Sequence, residues 1–265
     1  MKRAGTARAG STVTSLASDS SANGGSGDQR YRYERKFVAE ADRSFVESVV
    51  RYHPALFRPI FHSRWINNIY LDTLALESYE DNVAGSSCER IKVRIRWYGD
   101  LLGVVDNPVL ELKIKHNIVN RKESFALGPF KMTDRLSTRD IRQLFRQADL
   151  PEGLRHDLCK LEPTLLNRYR RTYYRTPDRA FRITIDSDLA FHAMKSSGTV
   201  ESTRWCAGDY SILELKYPQD AATRGHEITQ HLPFRLSRSS KYVSGIERTR
   251  YRFGFGDAGV RILAR

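Results

Sequence analysis

Residues 89–99 read Glu-Arg-Ile-Lys-Val-Arg-Ile-Arg-Trp-Tyr-Gly, a two-residue alternation that sorts into two clean faces only on a β-strand. Ile91, Val93, Ile95 and Trp97 then share one side, and Arg90, Lys92, Arg94 and Arg96 share the other. Same-face neighbours on a strand lie about 7 Å apart, where two like charges repel by about 2 kcal/mol at an effective dielectric of about 20. A fold holds such a ladder where it faces open water, or where an anion fills the space in front of it.

Other runs repeat the problem. Glu34-Arg35-Lys36, Glu111-Leu112-Lys113 and Glu214-Leu215-Lys216 each point a carboxylate and an ammonium the same way, and the last two carry leucines on the opposite side. Asn167 to Arg175 and Arg182 to Asp186 are similar basic runs. Several two-faced strands are reconciled at once if the sheet closes, with the charged faces lining an interior and the apolar faces outward under helices. A polar tunnel of this kind needs a ligand to make electrostatic sense.

The rest of the chain sets bounds on that picture. A length of 265 residues, 40% hydrophobic, suits one large domain or two small ones. A formal charge of +13 calls for anionic partners: nucleic acid, an acidic membrane surface or phosphate-rich small molecules. Cys88, Cys159 and Cys206 are far apart and suggest neither a disulfide framework nor a zinc site. No run of about 18 apolar residues offers a transmembrane segment, and no apolar stretch follows Lys2 and Arg3 for export, so a reducing cytoplasm is the expected compartment.

Residues 1–30 are rich in Ser, Gly, Ala and Thr and read as a disordered tail; residues 31–255 carry the folding pattern, and 256–265 form a C-terminal tail. Strands are expected over Tyr33 to Val38, Arg64 to Asp72, the basic run, Val109 to His116, Val119 to Leu127, Leu166 to Arg175, Phe181 to Ser187 and Tyr210 to Tyr217. Helices are expected around Ala41 to Arg51, from an N-cap at Thr138 through Ala148, and from Gln219 to His231, with Pro54 and Pro59 breaking the chain after the first and a basic segment, Arg235 to Arg252, at the end. About eight strands without a strand-helix-strand rhythm predict a mostly antiparallel α+β domain.

Two apparent motifs carry no chemistry. Gly254-Phe255-Gly256-Asp257-Ala258-Gly259 has the spacing of a nucleotide loop, but too few residues follow it for the helix and strand that loop requires. In His226-Glu227-Ile228-Thr229-Gln230-His231 the histidines are five apart, which at about 100° per residue spreads them by roughly 140° and away from a shared metal.

Taken in order, Glu34-Arg35-Lys36-Phe37, Ile69-Tyr70-Leu71-Asp72, Arg94 to Gly99, Glu111-Leu112-Lys113, Tyr169-Arg170-Arg171, Arg182 to Asp186, Leu213 to Lys216 and Ser240-Lys241-Tyr242-x-x-Gly245 resemble the VTC domain of inorganic polyphosphate polymerases, within the CYTH or triphosphate-tunnel superfamily. The resemblance implies an α+β fold built on an eight-stranded antiparallel β tunnel, or barrel, with flanking helices. It implies phosphate-binding roles for Lys36, Arg94, Arg96, Lys113, Arg171, Arg182, Arg238 and Lys241, with Arg94, Arg96, Lys113, Arg171 and Arg182 also catalytic. Glu214 becomes the foremost metal carboxylate, with Glu34 and Glu111 as further candidates for Mn²⁺ or Mg²⁺. Arg238 stands where the family tends to have lysine, and Arg32 replaces the first acid of the superfamily's Glu-x-Glu-x-Lys signature.

The expected activity is metal-dependent phosphoryl transfer from ATP or another nucleoside triphosphate onto polyphosphate. Fixed cations supply most of such catalysis because the transition state spreads charge over phosphate oxygens, and no protein nucleophile is required. The alternatives are a triphosphate hydrolase of the same superfamily and a non-catalytic module that binds polyphosphate or another polyanion. Nucleic acid is disfavoured as a partner, because aromatics do not interleave compactly with the basic strands, although Trp97, Tyr98, Tyr173 and Tyr174 keep stacking in view.

Overall fold

The computed structural model describes residues 32–85, 89–116, 119–195, 200–206 and 210–250. Both expected tails and the glycine motif at 254–259 lie outside these residues. Twelve strands are present: β1 (Arg32–Ala39), β2 (Arg58–Asp72), β3 (Glu89–Tyr98), β4 (Gly103–Val105), β5 (Val109–His116), β6 (Val119–Ala126), β7 (Phe130–Met132), β8 (Glu162–Arg175), β9 (Arg182–Met194), β10 (Val200–Cys206), β11 (Ser211–Pro218) and β12 (Arg235–Ser237). Six α-helices accompany them: α1 (Arg43–Arg51), α2 (Glu77–Ala84), α3 (Thr138–Gln147), α4 (Glu152–Leu158), α5 (Ala222–Gln230) and α6 (Lys241–Arg250).

Ten strands make one antiparallel sheet. Its spine is β1-β11-β9-β8-β2-β3-β5-β6, the expected eight long strands, with β12 added beside β1 and β10 beside β9. β4 and β7 pair separately. The apolar residues of β3 do turn outward: Ile91, Val93, Ile95 and Trp97 join Leu110, Leu112 and Ile114 of β5 in a buried cluster with Ile141 and Phe145 of α3 and Leu154 and Leu158 of α4. On the opposite wall Phe37, Ile183, Ile185, Leu213 and Leu215 pack with Val46 and Val50 of α1 and Ile228 of α5.

Curvature brings the two ends of the sheet face to face. β1 and β5 are separated by five intervening strands in the hydrogen-bonded order, yet Glu34 Oε2 of β1 lies 3.7 Å from Lys113 Nζ of β5. No backbone ladder joins the outermost strands β12 and β6 among the described residues, so the hydrogen-bonded closure expected of a barrel is not made there. One end of the interior is filled by a third apolar cluster, in which Ile66, Tyr70, Leu165, Tyr169 and Ile212 surround Tyr242 and Ile246 of α6.

Several local expectations are corrected. β2 starts at Arg58 and accommodates Pro59 instead of breaking at it, because its pairing with β8 shifts register on both sides of Phe61, and a bulge tolerates the missing donor. Ser137 caps α3 through a reciprocal capping box with Asp140, displacing Thr138 into the first turn. The terminal basic segment holds both β12 and α6, whose buried residues Tyr242, Gly245 and Ile246 recur at helical spacing.

Candidate active site in the tunnel

The antiparallel register decides which side chains share the interior. Arg94 lies opposite Tyr70 and Glu111, Arg96 opposite Asn68, and Arg171 opposite Asp186. Glu111 gathers the first group: its Oε2 is 2.8 Å from Arg94 Nε and 2.6 Å from Arg94 Nη2, while its Oε1 is 3.4 Å from Arg96 Nη1 and 2.7 Å from Lys122 Nζ. Arg96 is fixed further, donating to Asn68 Oδ1 at 3.0 Å and to the Tyr169 hydroxyl at 3.4 Å, and Asn68 in turn donates to Asn167 Oδ1 at 2.9 Å. Burial pushes the Glu111 carboxyl upward, but Arg94, Arg96 and Lys122 outweigh it and hold the group at about 2.

A second group forms around the fully buried Asp186. Arg171 grips it bidentately at 2.5 and 2.7 Å, and Lys241 of α6 reaches the same carboxylate at 2.5 Å. Burial opposes the charges of Arg171 and Lys241, yet Asp186 beside them raises both above their ordinary values. These cations are therefore charged and held in place before any ligand arrives.

The third group is carboxylate-rich. Lys216 Nζ sits 2.5 Å from Glu214 Oε1 and 3.5 Å from Glu34 Oε2, so one ammonium is shared by two acids on adjacent strands. Lys36 is 3.0 Å from Glu34 Oε1 and donates to the Ser239 carbonyl at 3.4 Å. Against burial and their mutual repulsion, the surrounding lysines keep both acids below the usual carboxylate range. Two hard oxygen donors side by side suit a divalent cation that draws its remaining ligands from phosphate and water. Among the described residues no set of three or more His, Cys, Asp or Glu side chains is placed to hold a metal without such help.

Lys92 completes the interior. It donates to Ser240 Oγ, at the start of α6, at 3.0 Å. Burial, followed by repulsion from Lys36, Lys113, Arg90 and Arg94, pulls its ammonium down to about 7. Cations outnumber carboxylates throughout this space, which fits an extended polyanion.

The structure thus brings Lys36, Arg94, Arg96, Lys113, Arg171, Lys241, Glu34, Glu111 and Glu214 to one interior. Arg182 shares the inner face by register, but is exposed and forms no ion pair among the described residues. Arg238 is likewise exposed, between β12 and α6. Glu111 is engaged by three cations, Arg94, Arg96 and Lys122, and Glu34 likewise by three, Lys36, Lys113 and Lys216, the last shared with Glu214. Sequence reasoning gave no role to Asp186, Lys92, Lys216, Tyr70 or Tyr169. Asp186 and Lys216 each lie on the charged side of an alternating run, which was the available signal; Tyr70 is hidden in an apolar-looking stretch, and Tyr169 among the arginines of a basic run.

A family model described as the VTC domain matches residues 31–250. Similar solved structures include a protein from Pyrococcus horikoshii OT3, with a TM-score of 0.47 and 14% identity over 82% of this chain and 99% of that one. A Vibrio parahaemolyticus protein named as a candidate adenylate cyclase has a TM-score of 0.46 and 11% identity over 81% of this chain and 98% of its own. A Hippeastrum protein, described as a candidate adenylyl cyclase with a dominant triphosphatase activity, has a TM-score of 0.44 and 13% identity over 82% and 97%. Comparison with curated protein sequences gives no match.

Proposed function

The chain belongs to the VTC domain family, a membership that supports triphosphate-related phosphoryl chemistry, and from that premise we infer that it is a metal-dependent phosphotransferase that extends polyphosphate from ATP or another nucleoside triphosphate. The observation that carries this reading is the convergence of Arg94, Arg96, Arg171, Lys36, Lys113 and Lys241 on one interior, with Arg94, Arg96, Arg171 and Lys241 pre-aligned by Glu111 and Asp186.

In this reading the triphosphate lies along the inner face, with Arg94, Arg96 and Arg171 donating to its oxygens. The terminal phosphate oxygen of the acceptor chain attacks the γ-phosphorus; a new P–O bond forms as the bond to the β–γ bridging oxygen breaks, and the nucleoside diphosphate departs with that electron pair. Charge shifts onto oxygens that already face fixed guanidinium and ammonium groups, so little reorganisation is needed at the transition state. Glu34 and Glu214 would hold Mn²⁺ or Mg²⁺, and the bound ion would neutralise charge on the phosphate oxygens. Glu111 and Asp186 act by orienting arginines.

The test is incubation with γ-labelled ATP and Mn²⁺, followed by separation of polyphosphate, orthophosphate and unreacted ATP. Label in polyphosphate supports the polymerase; label in orthophosphate alone makes the chain a hydrolase; unreacted ATP at all metal concentrations overturns an enzymatic role.

A further inference from the structure

Beyond Arg171 the interior changes character. Arg64 of β2 is the direct cross-strand neighbour of Arg171, and Tyr173 follows Arg171 by two residues on the same face of β8. Three aromatic rings converge on the Arg64 guanidinium, whose Cζ lies 5.6 Å from the Phe61 centroid, 5.0 Å from Tyr98 and 5.1 Å from Tyr173. Phe61 and Tyr173 meet edge to face at 5.6 Å. Phe61 and Tyr98 are 59% and 49% exposed, and neither belongs to a buried apolar cluster. Arg64 is exposed too and forms no ion pair with a carboxylate among the described residues. Such a cluster is costly as plain surface, since it leaves large rings in water around an uncompensated charge.

We propose that Phe61, Arg64, Tyr98 and Tyr173 form a nucleobase platform at the tunnel mouth, which seats the base of the nucleoside triphosphate whose phosphates lie among Arg171, Arg94 and Arg96. The inference rests on the triphosphate reading of the tunnel. Placement supports it: a step of two residues along β8 is roughly 7 Å, a span suited to the ribose between a phosphate at Arg171 and a base at Tyr173. Chemistry supports it as well, because the exposed faces of Phe61 and Tyr98 can stack on a heterocycle while the Arg64 guanidinium meets its π-face. No hydrogen-bonding pocket for base edges is required, so the platform favours bases over no base and discriminates weakly among bases.

The experiment is isothermal titration of ATP and of inorganic tripolyphosphate into the unaltered chain, Phe61→Ala, Tyr98→Ala and the double variant, at one salt concentration. Stacking on an aromatic side chain corresponds to an expected loss of ATP affinity of about 5- to 100-fold in the double variant, against a change within about twofold for tripolyphosphate. Equal losses for both ligands, or no loss for either, overturn the platform. Arg64→Gln, which keeps the rings, provides a second reading: a selective loss of ATP affinity supports the platform, and a parallel loss of both ligands counts against it. Failure of tripolyphosphate to bind the unaltered chain overturns the tunnel reading itself, an outcome distinct from failure of the aromatic substitutions.

Discussion

Arg94 and Arg96 share a face of β3 with Arg90 but not an environment. Both are tied to the buried Glu111, whereas Arg90, near the start of the strand, forms no ion pair among the described residues. A hydrogen bond from a charged group to a bound phosphate in such a space contributes about 1.5 to 3 kcal/mol. Arg94→Ala and Arg96→Ala should therefore each lower kcat/KM for the nucleotide by roughly tenfold or more, with little relief from added salt, while Arg90→Ala should have a small, salt-sensitive effect. Steady-state kinetics of the three variants at low and moderate salt separate the cases; three equal losses erased by salt would leave only a basic surface. Lys92 offers a pH test. Its ammonium titrates at about 7 in the free chain against an ordinary 10.5, so the unfolded chain binds the extra proton between those values and stability without ligand rises with pH through that window. An anion seated beside Lys92 reverses the balance and pulls a proton on. At pH 8 tripolyphosphate binding by the unaltered chain should therefore take up more protons than binding by Lys92→Met. Calorimetry in two buffers of different ionisation enthalpy measures the difference, and equal proton uptake would remove Lys92 from the site.

Among the elements, α6 has the widest reach: its first residues meet Lys92 and Asp186, and its body fills one end of the interior. Gly245 is where it fits most tightly, since a Cβ there would come within 2.3 Å of Leu165 Cδ2 and 2.8 Å of Phe191 Cδ1. Gly245→Ala should destabilise by about 1 to 3 kcal/mol through overpacking and weaken phosphate binding by displacing Lys241; a melting temperature equal to that of the unaltered chain would show that the helix packs more loosely. The strands were far more legible in the sequence than this helix. Strict alternation in Arg90 to Trp97 and in Leu110 to Ile114 assigns each side chain to a face before any partner is known, and the faces came out as read. The buried stripe of α6 is only Tyr242, Gly245 and Ile246 in a basic segment, too thin for periodicity to reveal. Cross-strand sites were legible in proportion to how local they are. The Glu-x-Lys pairs are adjacent in sequence, but Asp186 acquires its meaning from Arg171 and Lys241, and the cluster on Arg64 draws its rings from three strands.

At the scale of the molecule, an interior richer in cations than in carboxylates is held together against its own repulsion, and an anion inside it should stabilise the fold. Tripolyphosphate at about 100 times its Kd should contribute about 2.7 kcal/mol, seen as a raised melting temperature, whereas duplex DNA at matched charge and salt, too wide to enter, should give a much smaller shift. Equal shifts would mean that the charges act as an outer surface. The contact between Glu34 and Lys113 bears on more than the site it helps to build. It is a single partly exposed ion pair between β1 and β5, which no backbone ladder joins among the described residues, and such pairs each hold by under about 1 kcal/mol. An anionic polymer that takes Lys113 from Glu34 would remove this contact between strands that lie far apart in the sheet order, so a bound polyanion and the Glu34–Lys113 pair compete for the same ammonium.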